Sequence, residues 1–162
     1  MTPTRWEGTS ISPHRDTGDR DRDGRELSAG AVVVRGGDVV VIVPANRRVA
    51  GERVLGLPKG HPDKDETPEQ GAAREVREEA GVWGEIVADL GAIEYTYERD
   101  GTHHDKRVRF FLIDYRGGDP ADHDHEVEEA RWIPLEEAAR TLTFAGEREI
   151  IERAMSRRDG DL

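Results

Sequence analysis

The 162-residue sequence contains no cysteine, which excludes disulfide scaffolds, thiolate nucleophiles and cysteine-ligated zinc together. No stretch approaches the roughly 20 apolar residues with which a helix spans a bilayer, and the first residues lack a basic segment followed by an apolar run. We therefore expect no secretion and no membrane partner, and a cytoplasmic location, which suits the missing cysteines. Positive charge is also short, with 24 Lys and Arg against 35 Asp and Glu and a formal net charge of -11. Such a field repels a nucleic-acid backbone, so polymeric DNA or RNA is not an expected partner. A small polyanion stays compatible, because a bound divalent metal inverts the local sign. No internal repeat is present. At this length one domain with one active site is expected, as a monomer or a homodimer.

Charged residues make up 36% of the chain and hydrophobic ones 35%, so part of the charge must belong to an exposed tail or to a charged site. Residues 1–26 supply the first: rich in Arg, Asp, Gly, Ser, Thr and Pro and without apolar periodicity, they read as a disordered N-terminal tail. The folded domain is expected over residues 27–156, with a short C-terminal tail at 157–162. Residues 29–34 and 39–43 are β-branched runs separated by Arg35, Gly36, Gly37 and Asp38, which signals a hairpin. A polar loop follows, then residues 54–57 lead into Pro58, Lys59 and Gly60, where Pro and Gly end regular pairing. A helix is predicted over residues 68–80. Thr67 is its N-cap, Pro68 suits the first turn, Gln70 completes a capping box and Gly81 terminates it in the left-handed conformation. Further strands are predicted at 84–87, 90–97, 107–115 and 129–133, and helices at 135–142 and 147–155. Irregular alternation with a hairpin signal predicts an α/β fold whose sheet is mixed and partly antiparallel.

The helix at 68–80 carries the second charged feature. At about 100° per residue, Glu75, Glu78 and Glu79 fall within one arc of roughly 100°, while Ala72, Ala73, Val76 and Ala80 occupy another that can pack on the sheet. Like charges at i and i+4, such as Glu75 and Glu79, destabilise a bare helix by about 0.2–0.5 kcal/mol per pair. A hard divalent cation removes that repulsion, since Mg²⁺ and Mn²⁺ prefer oxygen ligands. Arg74, beside Glu75 and four residues before Glu78, can orient a carboxylate through charge-assisted hydrogen bonds. Taken alone, Arg-Glu-Val-Arg-Glu-Glu usually means a solvated, salt-bridged face. The longer pattern G-x5-E-x7-R-E-V-x-E-E-x-G-V, from Gly60 to Val82, fixes nine positions over 23 residues.

That pattern strongly resembles the Nudix box without a departure, and the order of elements extends the likeness to the MutT-like Nudix hydrolases from about Leu27 to Met155. The resemblance implies an α/β/α sandwich and metal-dependent hydrolysis of a nucleoside diphosphate linked to another group, with Mg²⁺ or Mn²⁺ as cofactor. It implies that Glu78 and Glu79 bind metal, that Glu75 supports metal or water, that Gly60 lends its backbone carbonyl, and that Glu66 stabilises loop and helix geometry. A polyphosphate repels hydroxide, so metals must neutralise its oxygens and activate the attacking water. No serine, cysteine or lysine nucleophile is needed, and no constellation supports one.

Outside the box, residues 122–134 are similar to the region where the family carries a further glutamate as metal ligand or general base. Glu126 is the preferred match, and Glu128 and Glu129 compete with it, because a one-residue slip changes which side chain faces the cleft. His123 and His125 lack a third ligand in view and read as loop residues. Lys59 is either a phosphate contact or a solvent-facing lysine. Lys106, Arg107 and Arg109 begin a strand, with Arg107 and Arg109 on one face, forming either a phosphate-binding patch or an exposed sheet face. Tyr95 and Tyr97 also share a strand face, available for stacking on a nucleobase or for core packing. The tyrosine positions and the segment Leu57-Pro-Lys-Gly-His are similar to the bacterial bis(5'-nucleosyl)-tetraphosphatase branch. The expected substrate is accordingly a dinucleoside polyphosphate such as diadenosine tetraphosphate. The alternatives are a house-cleaning nucleoside triphosphate pyrophosphatase acting on oxidised or non-standard nucleotides, inositol pyrophosphate hydrolysis, or a catalytically silent nucleotide sensor.

Overall fold

The computed structural model describes the backbone of residues 4–5 and 26–160, and the side chains of 27–96 and 100–158. Its frame follows from the β-branched runs. Strand β1 (Thr4–Arg5) is a two-residue segment, and β2 (Glu26–Arg35) and β3 (Asp38–Pro44) form the expected hairpin around Gly36, whose φ of 60° suits glycine. Strands β4 (Arg48–Val49) and β5 (Glu52–Arg53) make a small separate hairpin inside the segment read as a polar loop. Strand β6 (Lys59–Gly60) precedes helix α1 (Pro68–Ala80). Then come β7 (Val82–Arg99), β8 (Thr102–Gly118), a single 3-10 turn (Pro120–Asp122), β9 (Val127–Pro134), α2 (Leu135–Thr141) and α3 (Ala145–Gly160).

The main sheet has the order β1-β7-β8-β2-β3-β9, with β6 paired to β2. Strands β2 and β8 run parallel, as do β1 and β7, whereas the other pairs are antiparallel, so the sheet is mixed. Two predicted strands, 84–87 and 90–97, are one long strand. Register shifts between Trp83 and Gly84, Ile86 and Ala88, and Asp89 and Gly91 absorb the break in alternation that separates them in the sequence.

Alternation in β2 and β3 sorts the core into two layers. Val32, Val34, Val39 and Val41 face Leu135, Ala138, Leu142, Ile150, Ile151 and Ala154 of α2 and α3. Ala31, Val33, Val40 and Ile42 face Val76 and Ala80 of α1. The result is the expected α/β/α sandwich. Ala73, placed by helical spacing on the packing arc, is exposed, and Gly71 is buried in its stead. A Cβ on Gly71 would sit 3.2 Å from Pro62, so a small residue is what lets the loop before α1 close on the helix.

Strand β2 pairs with β3 only at the turn end, through Val34 with Val39 and Arg35 with Asp38. Beyond that the two strands part, and residues 54–60 fill the gap. The Ala31 N–H donates to Pro58 O at 3.2 Å, Ile42 and Gly56 exchange bonds at 2.8 and 2.9 Å, and β6 pairs with Ala29 and Gly30. A Cβ on Gly30 would lie 2.5 Å from Pro58 O, so the insertion needs glycine there.

The expected boundaries of the domain meet two local differences. Thr4 and Arg5, inside the segment read as a tail, pair with Tyr95 and Thr96, while residues 6–25 lie outside the described residues. Helix α3 runs to Gly160 and so takes in part of the expected C-terminal tail, with Arg157 and Arg158 in its last turn, where cations favour the helix dipole. No helix among the described residues is long and apolar enough to cross a membrane.

Candidate active site

Helix α1 is fixed at both ends by short-range chemistry. Thr67 Oγ1 accepts from the Gln70 N–H at 3.1 Å, the Gln70 side chain accepts from the Thr67 N–H at 3.0 Å, and the Gly81 N–H closes on Arg77 O at φ 69°. Arg74 then ties the preceding loop to the helix. It makes two bonds to Glu66, at 2.8 and 3.1 Å, and one to His61 O at 3.0 Å, and on the helix side it reaches Glu75 at 3.3 Å and Glu78 at 3.2 Å. The Arg74 guanidinium holds the Glu66 carboxyl below its ordinary range.

With the loop and helix locked, Gly60, Glu75 and Glu79 face a cavity of about 110 Å³, lined also by Ile42, Pro44, Arg47, Lys59, His61, Lys106 and Glu126. Glu79 Oε1 accepts from the Lys59 N–H at 3.0 Å. Desolvation in the cavity, and secondarily the neighbouring Glu75 charge, push the Glu79 carboxyl up to about 8. Glu126 is brought to the rim by a loop docked on the end of α1. The Asp124 N–H donates to Glu78 O at 2.8 Å, Asp119 N–H to Gly81 O at 3.2 Å, and Ala45 N–H to Glu126 O at 3.0 Å.

The sequence-predicted residues divide between this cavity and other places. Gly60, Glu75, Glu79, Glu126, Lys59 and Lys106 line it. Glu78 does not: its side chain is 46% exposed and turned to Arg74, against 11% for Glu75. Glu128 and Glu129, the competitors of Glu126, pair instead with Arg53 on the surface. His123 contacts Asp124 O at 2.8 Å through Nδ1, and His125 is exposed. The basic patch is split by strand alternation. Lys106 points to the cavity, whereas Arg107 and Arg109 lie on the opposite face around a second, open depression with Asp89, which Arg109 binds through two hydrogen bonds. Arg107 and Arg109 therefore do not join the glutamates. Tyr95 is fully buried, packs edge-on against Phe144 and donates its hydroxyl to Glu147 at 3.2 Å, so it is a core residue and not a base-stacking surface. The side chain of Tyr97 lies outside the described residues.

Sequence reasoning missed Arg47, His61 and Glu147. Arg47 and His61 line the cavity from aperiodic loops that offer no pattern. Glu147 was legible in principle. It stands at helical spacing before Ile150, Ile151 and Ala154, a carboxylate on an apolar stripe, and it is 0% exposed.

The residues present suit a divalent cation in their chemistry. Two carboxylates and a third at the rim share one cavity with a backbone turn so tight that a Cβ on Gly60 would sit 2.1 Å from Glu75 Oε2. All are hard oxygen donors of the kind Mg²⁺ and Mn²⁺ take. Among the described residues no three His, Asp or Glu side chains converge closely enough to hold an ion, and Glu78 is bonded to Arg74 at 3.2 Å.

A family model described as NUDIX domain matches residues 24–154. The chain belongs to the NUDIX domain family. Among curated NUDIX-related proteins it is similar to one from Mycobacterium tuberculosis that carries the name mutator protein MutT4, with 40% identity over 150 residues, covering 88% of this chain and 59% of that protein. It is also similar to the 8-oxo-(d)GTP phosphatase of Mycolicibacterium smegmatis, 35% identical over 62% of this chain and 30% of the relative. A third relative is the asymmetrical bis(5'-nucleosyl)-tetraphosphatase of Caenorhabditis elegans, 30% identical over 54% of this chain and 64% of the relative. The chain thus spans less than two thirds of the length of each of these. A solved NUDIX hydrolase from Nitrosomonas europaea shares the fold at TM-score 0.66 and 20% identity, covering 82% of this chain and 89% of that one.

Proposed function

We propose that this NUDIX chain hydrolyses a phosphoanhydride bond in a nucleoside-diphosphate-linked substrate, with Glu75, Glu79 and the Gly60 carbonyl holding Mg²⁺ or Mn²⁺ together with Glu78 once it turns from Arg74 to the ion. The observation that carries the reading is the convergence of Glu75 and Glu79 on one cavity, where burial and mutual repulsion raise the proton affinity of Glu79. Such a pair is costly for a fold unless a cation shares it. A divalent ion bound there would neutralise phosphate oxygens and acidify the attacking water. The chain's own residues do the rest. Arg74 is bonded to Glu75 and Glu78, and Arg47 and Lys106, which line the same cavity, would supply positive charge to the phosphate chain. Glu126, which lines the cavity and is exposed, is the residue we assign to accept the proton of the attacking water.

For the substrate, the order of the two enzyme readings is reversed relative to the sequence-based expectation. Diadenosine tetraphosphate rested on the tyrosine positions and the segment Leu57-Pro-Lys-Gly-His, and of the two tyrosines Tyr95 is closed in the core. The two relatives of higher identity, at 40% and 35%, carry the names mutator protein and 8-oxo-(d)GTP phosphatase. These support a nucleoside triphosphate with an altered base as the preferred substrate class, with dinucleoside polyphosphates second. Incubation of the protein with Mg²⁺ or Mn²⁺ and a panel of 8-oxo-dGTP, dGTP, ATP and diadenosine tetraphosphate, with products separated by ion exchange, tests this. We expect the highest kcat/KM on 8-oxo-dGTP. A clear preference for diadenosine tetraphosphate would restore the original order, and no turnover of any member would remove the hydrolase reading.

A further inference from the structure

Behind the cavity wall lies a buried carboxylate that the proposed chemistry does not use. Glu147, in the first turn of α3, is 0% exposed. Its Oε1 accepts from the Leu57 N–H at 2.9 Å, and its Oε2 meets Lys59 Nζ at 2.8 Å and the Tyr95 hydroxyl at 3.2 Å. Lys59 is therefore held from both ends. Its N–H donates to Glu79 on α1, while its side chain, 7% exposed, carries the ammonium the other way to Glu147 on α3 and to Leu57 O at 3.4 Å. The Glu79 carboxylate feels the Lys59 and Arg47 charges, and Arg47 in turn feels Glu147 ahead of Glu79. Two carboxylates on opposite helices thus compete for the same cations.

We infer that Glu147 is a positioning residue that holds the Lys59 ammonium on the α3 side, so that Glu79 stays open to a divalent cation. A buried ammonium stripped of its counter-ion must find another acceptor. Glu79 is near enough to influence it, and a carboxylate engaged by an internal cation is a poorer metal ligand. Glu147→Gln keeps the shape and removes the charge. This inference rests on the reading of Glu79 as a metal-holding residue.

The test is Mn²⁺ affinity, measured by electron paramagnetic resonance on the full chain without nucleotide, for the parent and for Glu79→Gln, Glu147→Gln, Lys59→Met and the Lys59→Met/Glu147→Gln pair. Melting temperatures are recorded alongside. Glu147→Gln should weaken Mn²⁺ binding by about 10-fold, the lower end for losing a residue that orients a ligand. The double variant, which carries neither charge, should regain an affinity close to the parent's. A residue that only supports the fold would not be rescued by removing its partner. Should Glu147→Gln not fold, the double variant still decides, because a 10-fold loss in it would overturn the inference. Unchanged affinity in a folded Glu147→Gln would overturn it too. A Glu79→Gln variant that binds Mn²⁺ like the parent would instead remove the metal reading, and with it this inference.

Discussion

The chemistry of the cavity is concentrated in Glu79. Its carboxyl titrates near 8 in the folded protein against an ordinary value of 4.5, so between those values the folded state binds more protons than the unfolded chain. Stability of the EDTA-treated protein must then fall as pH rises from about 4.5 to about 8, and above that the whole cost of the buried charge is present. Glu79→Gln removes the titrating group. In EDTA the variant should melt above the parent at about pH 9, with the gap closing toward about pH 5; parallel melting curves at all pH values would contradict the burial argument. A metal competes with the same proton, so Mn²⁺ affinity of the parent should rise with pH up to about 8.

At the scale of the element, α1 owes its place to local chemistry. Its N-terminus is closed by Thr67 and Gln70 and its C-terminus by Gly81, so Thr67→Ala should cost about 1 kcal/mol in denaturant unfolding with an unchanged m-value. A loss within error would mean that packing against the sheet, and not the cap, fixes the helix. Because caps are written in neighbouring residues, the sequence predicts this helix at its observed bounds, Pro68–Ala80. Arcs on the helix were less complete. Helical spacing groups Glu78 with Glu75 and Glu79, yet Arg74 holds Glu78 at the surface edge of that arc. In the strands, alternation gives the two faces of β2 and β3, but three register shifts join what reads as two strands into β7. A bulge breaks periodicity without a residue signature that separates it from a turn.

Over the whole molecule, the features that remained hidden are those made by distant segments. The parting of β2 from β3, the insertion of residues 54–60 between them and the bond from Leu57 to Glu147, 90 residues away, have no local signal. The same holds for the split of Lys106 from Arg107 and Arg109. Period-two alternation separates their faces, but only the position of α1 says which face carries the glutamates. The excess of acidic residues is likewise not spread evenly in effect, since Arg47, Lys59 and Lys106 line the same cavity as Glu75 and Glu79. A molecule of net charge -11 thereby offers a phosphate chain a mixed cavity that a divalent ion would tip to positive. Whether the helix carboxylates hold catalytic metal is decided most directly by measuring Mn²⁺ affinity and nucleotide turnover together in Glu78→Gln and Glu79→Gln, with Glu69→Gln, on the first turn of α1 outside the matched pattern, as control. Each of the first two should lower turnover by at least about 10²-fold and weaken Mn²⁺ binding in parallel, with the fold intact and the control near the parent. Near-normal turnover in both Glu78→Gln and Glu79→Gln would contradict the metal-centred reading, however well the sequence pattern matches.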